Sequence, residues 1–163
     1  RPAPGGSGWG AERVLPPRRL SPPEGFVKHI LRCVACEAAL TVPLTIVSGK
    51  APGVVRPEHE DRKPLTVAGV GFKSWEAIEH SPDDTPALLE FIPQFWLNPD
   101  DLTDAVRDTR NEPRLGGCCG IAGCDGPNQI CRCGADIGTL RTDCWTPRVF
   151  IPVPEATEWN EEN

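Results

Sequence analysis

Eight cysteines carry most of the chemistry open to this chain, and their spacing is uneven. Cys33 and Cys36 form a C-x-x-C pair, and Cys131 and Cys133 form a C-x-C pair followed by Gly134. Thiolates suit zinc, a borderline-soft ion that takes four ligands in a tetrahedron. Two short-spaced pairs far apart in sequence are a common way to supply them. Each pair sits in a tight turn, or knuckle, and the two turns clasp the ion. Gly134 fits such a turn, because without a β-carbon it takes positive φ freely. The spacing therefore predicts a first metal site of Cys33, Cys36, Cys131 and Cys133, with 94 residues inserted between Cys36 and Cys131.

Four thiols remain: Cys118, Cys119, Cys124 and Cys144. They are read as a possible second tetrathiolate site. Side chains of adjacent residues diverge, so Cys118 and Cys119 are expected to serve different sites, or one of them to stand spare. Two other readings stay open. An even number of cysteines also permits a disulfide framework. A C-x-x-C pair can do redox chemistry, but that use wants a following helix whose dipole lowers the first thiol's pKa. Here the β-branched, Pro43-bearing segment Ala38–Val47 follows instead. His29 is a weaker ligand candidate, since eight thiols already suffice for two ions.

The elements that must position these thiols read as short strands. Phe26–Arg32 and Ala38–Val47 are β-branched and apolar, and they flank Cys33–Cys36 as a hairpin would. Pro43 demotes the second to an edge or marks a bulge. Leu65–Ile78 reads as a strand with bulges at Gly69 and Gly71, and Arg148–Val153 as another. Ser81–Asp84 carries turn chemistry, and Ala87–Leu97 is an apolar segment broken by Pro93. Asn98-Pro99-Asp100-Asp101 is a helix start by its cap, proline and acids. With Leu102, Ala105 and Val106 as its apolar stripe, that helix should run to just before Pro113. Asp125–Asn128 reads as a tight turn. Trp75 and Trp96 are assigned to the core, and Trp145 to a cover over a metal cluster. His59 and His80 are expected in solvated loops.

The stretch Leu115–Trp145 (LGGCCGIAGCDGPNQICRCGADIGTLRTDCW) resembles a group of uncharacterised, mostly bacterial, Cys-rich, zinc-ribbon-like proteins. They carry a Gly-Cys-Cys-Gly, Asp-Gly-Pro-Asn, Cys-x-Cys-Gly, Asp-Cys-Trp pattern. Phe95–Asp101 is similar more loosely. The resemblance implies a shared, metal-stabilised cysteine module and brings no activity with it.

Composition agrees with short strands. Nineteen prolines and 16 glycines in 163 residues exclude a coiled coil or helical bundle, and the glycines lack a collagen period. The expected class is mostly β, small α+β: zinc-knuckle hairpins with one short helix. Residues 1–24 form a Pro/Gly/Arg-rich arm expected to be disordered. Residues 25–154 make a single zinc-stapled domain, and 155–163 an acidic, frayed tail. The net charge of −6 argues against nucleic acid as a partner. No apolar run approaches the ~18 residues of a membrane span. Arg1–Ser21 lacks the apolar core of a signal peptide, so a cytoplasmic location is expected. No nucleophile elbow, H-E-x-x-H or P-loop occurs. The sequence thus points to a non-enzymatic module with one or two structural zinc ions and an unknown protein partner. A thiol enzyme or metal-handling protein using one reactive cysteine is the first alternative. A secreted, disulfide-stapled binding protein is the second.

Overall fold

Proline-rich connections cut the chain into strands of three to six residues, and no described helical piece exceeds four residues. The computed structural model describes residues 26–78 and 89–163. The arm at 1–24, the turn at Ser81–Asp84 and His80 lie outside the described residues. Among the described residues nine strands form: β1 (His29–Cys33), β2 (Thr45–Ser48), β3 (Val70–Ser74), β4 (Gln94–Leu97), β5 (Val106–Asp108), β6 (Gln129–Cys131), β7 (Asp136–Arg141), β8 (Val149–Pro152) and β9 (Thr157–Glu161). Seven pair in the order β2-β3-β4-β8-β7-β6-β5, and β1 pairs with β9 in a separate ribbon. Among the described strands only the β2–β3 pair is parallel. The mostly β class holds.

Alternation along β4 and β8 divides the core between two faces of the sheet. Leu97 and Phe150 face a cluster with Leu31, Leu40, Leu44 and Ile137, and both Cys33 and Cys131 belong to it. Trp96, Val149 and Ile151 face a second cluster with Leu65, Phe72 and Ile78. Trp96 stacks on Phe72 with ring centroids 5.3 Å apart. The first metal-site candidate is therefore continuous with one core and separated by the sheet from the other.

Four local expectations change. The helix after Asn98 is a single 3-10 turn, Pro99–Asp101. The Asn98 side chain caps it by accepting from the Asp100 N–H at 3.0 Å, as the sequence signals. But Thr103 then donates its N–H to Leu40 O at 2.9 Å, which draws the chain out of the helix and on to β5. The tail is not frayed: Thr157–Glu161 pairs in register with all of β1, and Trp159 packs on Phe95 with centroids 5.2 Å apart. Gly71 sits in unbroken register between Ile46 and Leu97, so no bulge forms there; the irregular step falls in β6 at Gln129/Ile130. Trp75 is only half-buried, with the Lys50 ammonium 4.2 Å from its ring centre, whereas Trp96 is fully buried as expected.

Candidate metal centre

Each knuckle is built by the same device. Cys33 ends β1, and its N–H donates to Ala38 O at 3.0 Å to close the turn that holds Cys36. Cys131 ends β6, and its N–H donates to Ala135 O at 2.9 Å to close the turn that holds Cys133. The C-x-C turn is one residue shorter than the C-x-x-C turn, as its spacing requires. A left-handed residue completes each: Gly134 at φ +93° and, in the first knuckle, Glu37 at φ +58°.

The turns face one another. Cys33 Sγ lies 3.7 Å from Cys133 Sγ, and Cys36 Sγ lies 3.5 Å from Cys131 Sγ. All four sulfurs are within 4.8 Å of one another. Thiolates at about 2.3 Å from a tetrahedral zinc stand about 3.8 Å apart, whereas a disulfide bond is about 2.05 Å. The four thiols thus form a group of metal-site dimensions, and all eight cysteines are unbridged. His29 is not part of it.

The electrostatics of the four thiols are unequal. Burial pushes Cys131 up to about 12 and raises Cys33 as well. Cys133 is exposed and lowered to about 7, chiefly because the Ala135 N–H donates to its sulfur. Thiolate is the ligating form, so metal capture here must expel protons from the two buried thiols. Arg107, Arg110 and Arg132 line a groove of about 480 Å3 beside Cys133. Asp108 and Asp136 line the same groove, so its charge is mixed with a small positive excess.

The remaining cysteines are arranged differently from expectation. Cys118, Cys119 and Cys144 have sulfurs within 4.8 Å of one another, but Cys124 is not among them. It is exposed, with its thiol 3.9 Å from Ala122 O. Nor do the adjacent side chains diverge: the Cys118 and Cys119 sulfurs are 3.8 Å apart. The cause is Asp143, a residue the sequence reading passed over. Its fully buried carboxylate accepts the N–H of Cys118 and of Cys119, each at 2.8 Å. It also accepts the Cys144 N–H at 2.7 Å and the Trp145 indole N–H at 3.0 Å. These donors, those of Cys119 and Cys118 first, hold Asp143 well below the usual carboxylate range. Gly117 permits the tight loop, since a β-carbon there would come 1.9 Å from Gly120 O.

Arg62 was also missed. Its N–H donates to Thr146 O at 3.0 Å, which brings its side chain to the second thiol group, and the Cys144 and Cys119 sulfurs there raise its pKa. Cys144 is raised, first by the neighbouring Cys119 sulfur. Nothing in the sequence near Arg62 marks it, and Asp143 shows only as an acid preceding a cysteine. Trp145 is tied to this loop through Asp143 and remains 40% exposed. Asn128 proves structural: fully buried, it donates to Leu140 O at 2.9 Å and accepts from Leu140 N at 2.7 Å, mimicking a strand neighbour. His59 is half-buried and 2.8 Å from Asp61 rather than solvated.

Comparison with known protein families, curated proteins and solved structures gives no significant match. Among the described residues no helix is long and apolar enough to cross a membrane.

Proposed function

We propose that the chain is a zinc-stapled β module whose task is to present a shaped surface to a protein partner, without chemistry at the first clasp. The observation that carries this reading is the meeting of two knuckles 94 residues apart at tetrahedral sulfur spacing. Four protein thiolates close the coordination sphere and leave no position for substrate. Two of them are core residues, which suits a staple better than a reaction centre. Zinc is favoured over other ions because a four-thiolate tetrahedron matches its softness and geometry. Such a clasp belongs where thiols stay reduced. An apolar groove of about 420 Å3 between β4 and β9, lined by Phe91, Ile92, Phe95 and Trp159, supports a protein-contacting role.

Native mass spectrometry of protein purified without added metal tests the reading, set beside the denatured mass. At least one zinc per chain, lost on denaturation, is expected. A metal-free protein lighter by two hydrogens per cysteine pair would overturn it in favour of disulfides.

A further inference from the structure

We propose that Cys118, Cys119, Cys144 and Arg62 form a second metal site of a different kind: three thiolates round one zinc-class divalent ion, with the fourth position open to a small exogenous anion beside the Arg62 guanidinium.

Three observations carry this. The sulfurs are spaced for it: Cys118 and Cys119 are 3.8 Å apart, and all three pairs fall within 4.8 Å. At about 2.3 Å from an ion, thiolates stand about 3.8 Å apart in a tetrahedron and about 4.0 Å apart in a plane. Second, the loop is fixed independently of any ion. Asp143 gathers the N–H groups of all three cysteines on one buried carboxylate, and the Gly117–Gly120 approach locks the turn that carries two of them. The sulfurs are held together by backbone bonds, so bound metal would not have to organise them. Third, the ligand set is incomplete. Among the described residues no histidine, carboxylate or further cysteine joins the group, and the Asp143 oxygens are occupied by backbone donors.

Three protein ligands with an accessible fourth position is the pattern of reactive zinc rather than structural zinc. Cys118 and Cys119 are exposed and Cys144 half-buried, so the open side faces solvent. Three thiolates and a divalent ion sum to −1, the ionised Asp143 carboxylate behind them makes −2, and Arg62 returns the total to −1. A small anion entering the fourth position therefore depends on the guanidinium as its partner, which is the role a planar, always-charged donor fills well. This inference is separate from the first clasp, whose four ligands are all protein thiolates.

Cobalt(II) is the probe, because its visible spectrum reports ligand number and type. The full chain should bind two equivalents, each with thiolate-to-cobalt charge-transfer bands. The double variant Cys118→Ser/Cys119→Ser should bind one, and Cys124→Ser two. The loop survives in the double variant because Asp143 holds backbone N–H groups, not sulfurs; retained, dispersed amide NMR signals over Gly117–Gly120 and at Cys144 check this. Millimolar azide should shift the cobalt spectrum of the wild type and leave the double variant unchanged. Arg62→Ala should weaken the azide effect about tenfold while keeping two cobalts. One cobalt in the wild type, or loss of the second in Cys124→Ser, overturns the site. Two cobalts with a spectrum indifferent to azide overturn the open position, and an unaltered azide affinity in Arg62→Ala removes the arginine from it.

Discussion

Removing metal from the first clasp should release β1 and β9 while leaving β3 and β4 protected. The ribbon is nearly balanced without metal. Burying Leu31, Cys33 and part of Trp159 contributes about 5 kcal/mol gross, and about five backbone hydrogen bonds contribute about 5 kcal/mol net. Ordering the ten residues of β1 and β9 costs at least about 10 kcal/mol, and an isolated two-stranded ribbon is marginal for this reason. With metal bound, opening β1 also tears Cys33 and Cys36 from the ion. Structural zinc binding amounts to about 10–16 kcal/mol at neutral pH, so losing two of four ligands costs a large part of it. The second core keeps its own cluster around stacked Phe72 and Trp96 and contains no cysteine. Amide hydrogen exchange with and without a strong chelator reads the difference. Protection at His29–Cys33, Gln129–Cys131 and Thr157–Glu161 should fall at least 1,000-fold, equivalent to about 4 kcal/mol. Protection at Val70–Ser74 and Gln94–Leu97 should change less than about tenfold. Unchanged exchange in β1 and β9 would refute the clasp as their anchor. Equal loss everywhere would refute the independence of the two cores.

Four further outcomes follow from single residues. Glu37→Gly relieves the left-handed φ of +58° in the first knuckle and should stabilise the metal-bound protein by about 1 kcal/mol, read as a higher urea midpoint at unchanged slope. Asn128→Ala leaves the N–H and C=O of Leu140 without partners and should cost about 2–4 kcal/mol in the same titration. In a short alkylation pulse near pH 8, given directly after chelation while β1 is still closed, Cys133 should react well before Cys131, because one is lowered to about 7 and the other raised to about 12. The signs oppose: in the metal-free fold the Cys133 contribution is present above the ordinary thiol value of 9.0 and fades as pH falls through 7, while that of Cys131 is present below 9.0 and fades toward 12. Peptide mapping of alkylated sites against pH checks the order. Asp143→Asn offers one acceptor oxygen where four donors converge, so NMR should show disorder over Gly117–Gly120 with β1 and β6 unmoved.

The first clasp was legible because knuckle chemistry is local. Two thiols separated by one or two residues, and a residue able to turn left-handed, describe most of the geometry before any tertiary contact forms. The strands around it were legible by β-branched content, in Phe26–Arg32 and Arg148–Val153 above all. The helix after Asn98 failed because its capping signals describe a first turn and nothing beyond it. Asp101 spends its carboxylate on the Gly69 N–H at 2.8 and 3.0 Å, and Asn98 donates to Thr66 O at 3.0 Å, so long-range partners fix the turn and Leu40 takes the next N–H. The acidic tail misled through its charge, which hid the pairing of Trp159 with Leu31. The second cluster shows the limit most clearly. Its thiols converge because one carboxylate collects backbone N–H groups from residues 118, 119 and 144. Every residue contributes the same N–H to such a bond, so the side-chain sequence carries no mark of which ones Asp143 will bind. The cysteines could be counted from the sequence, but their grouping into four and three follows from backbone bonds that only the fold brings together.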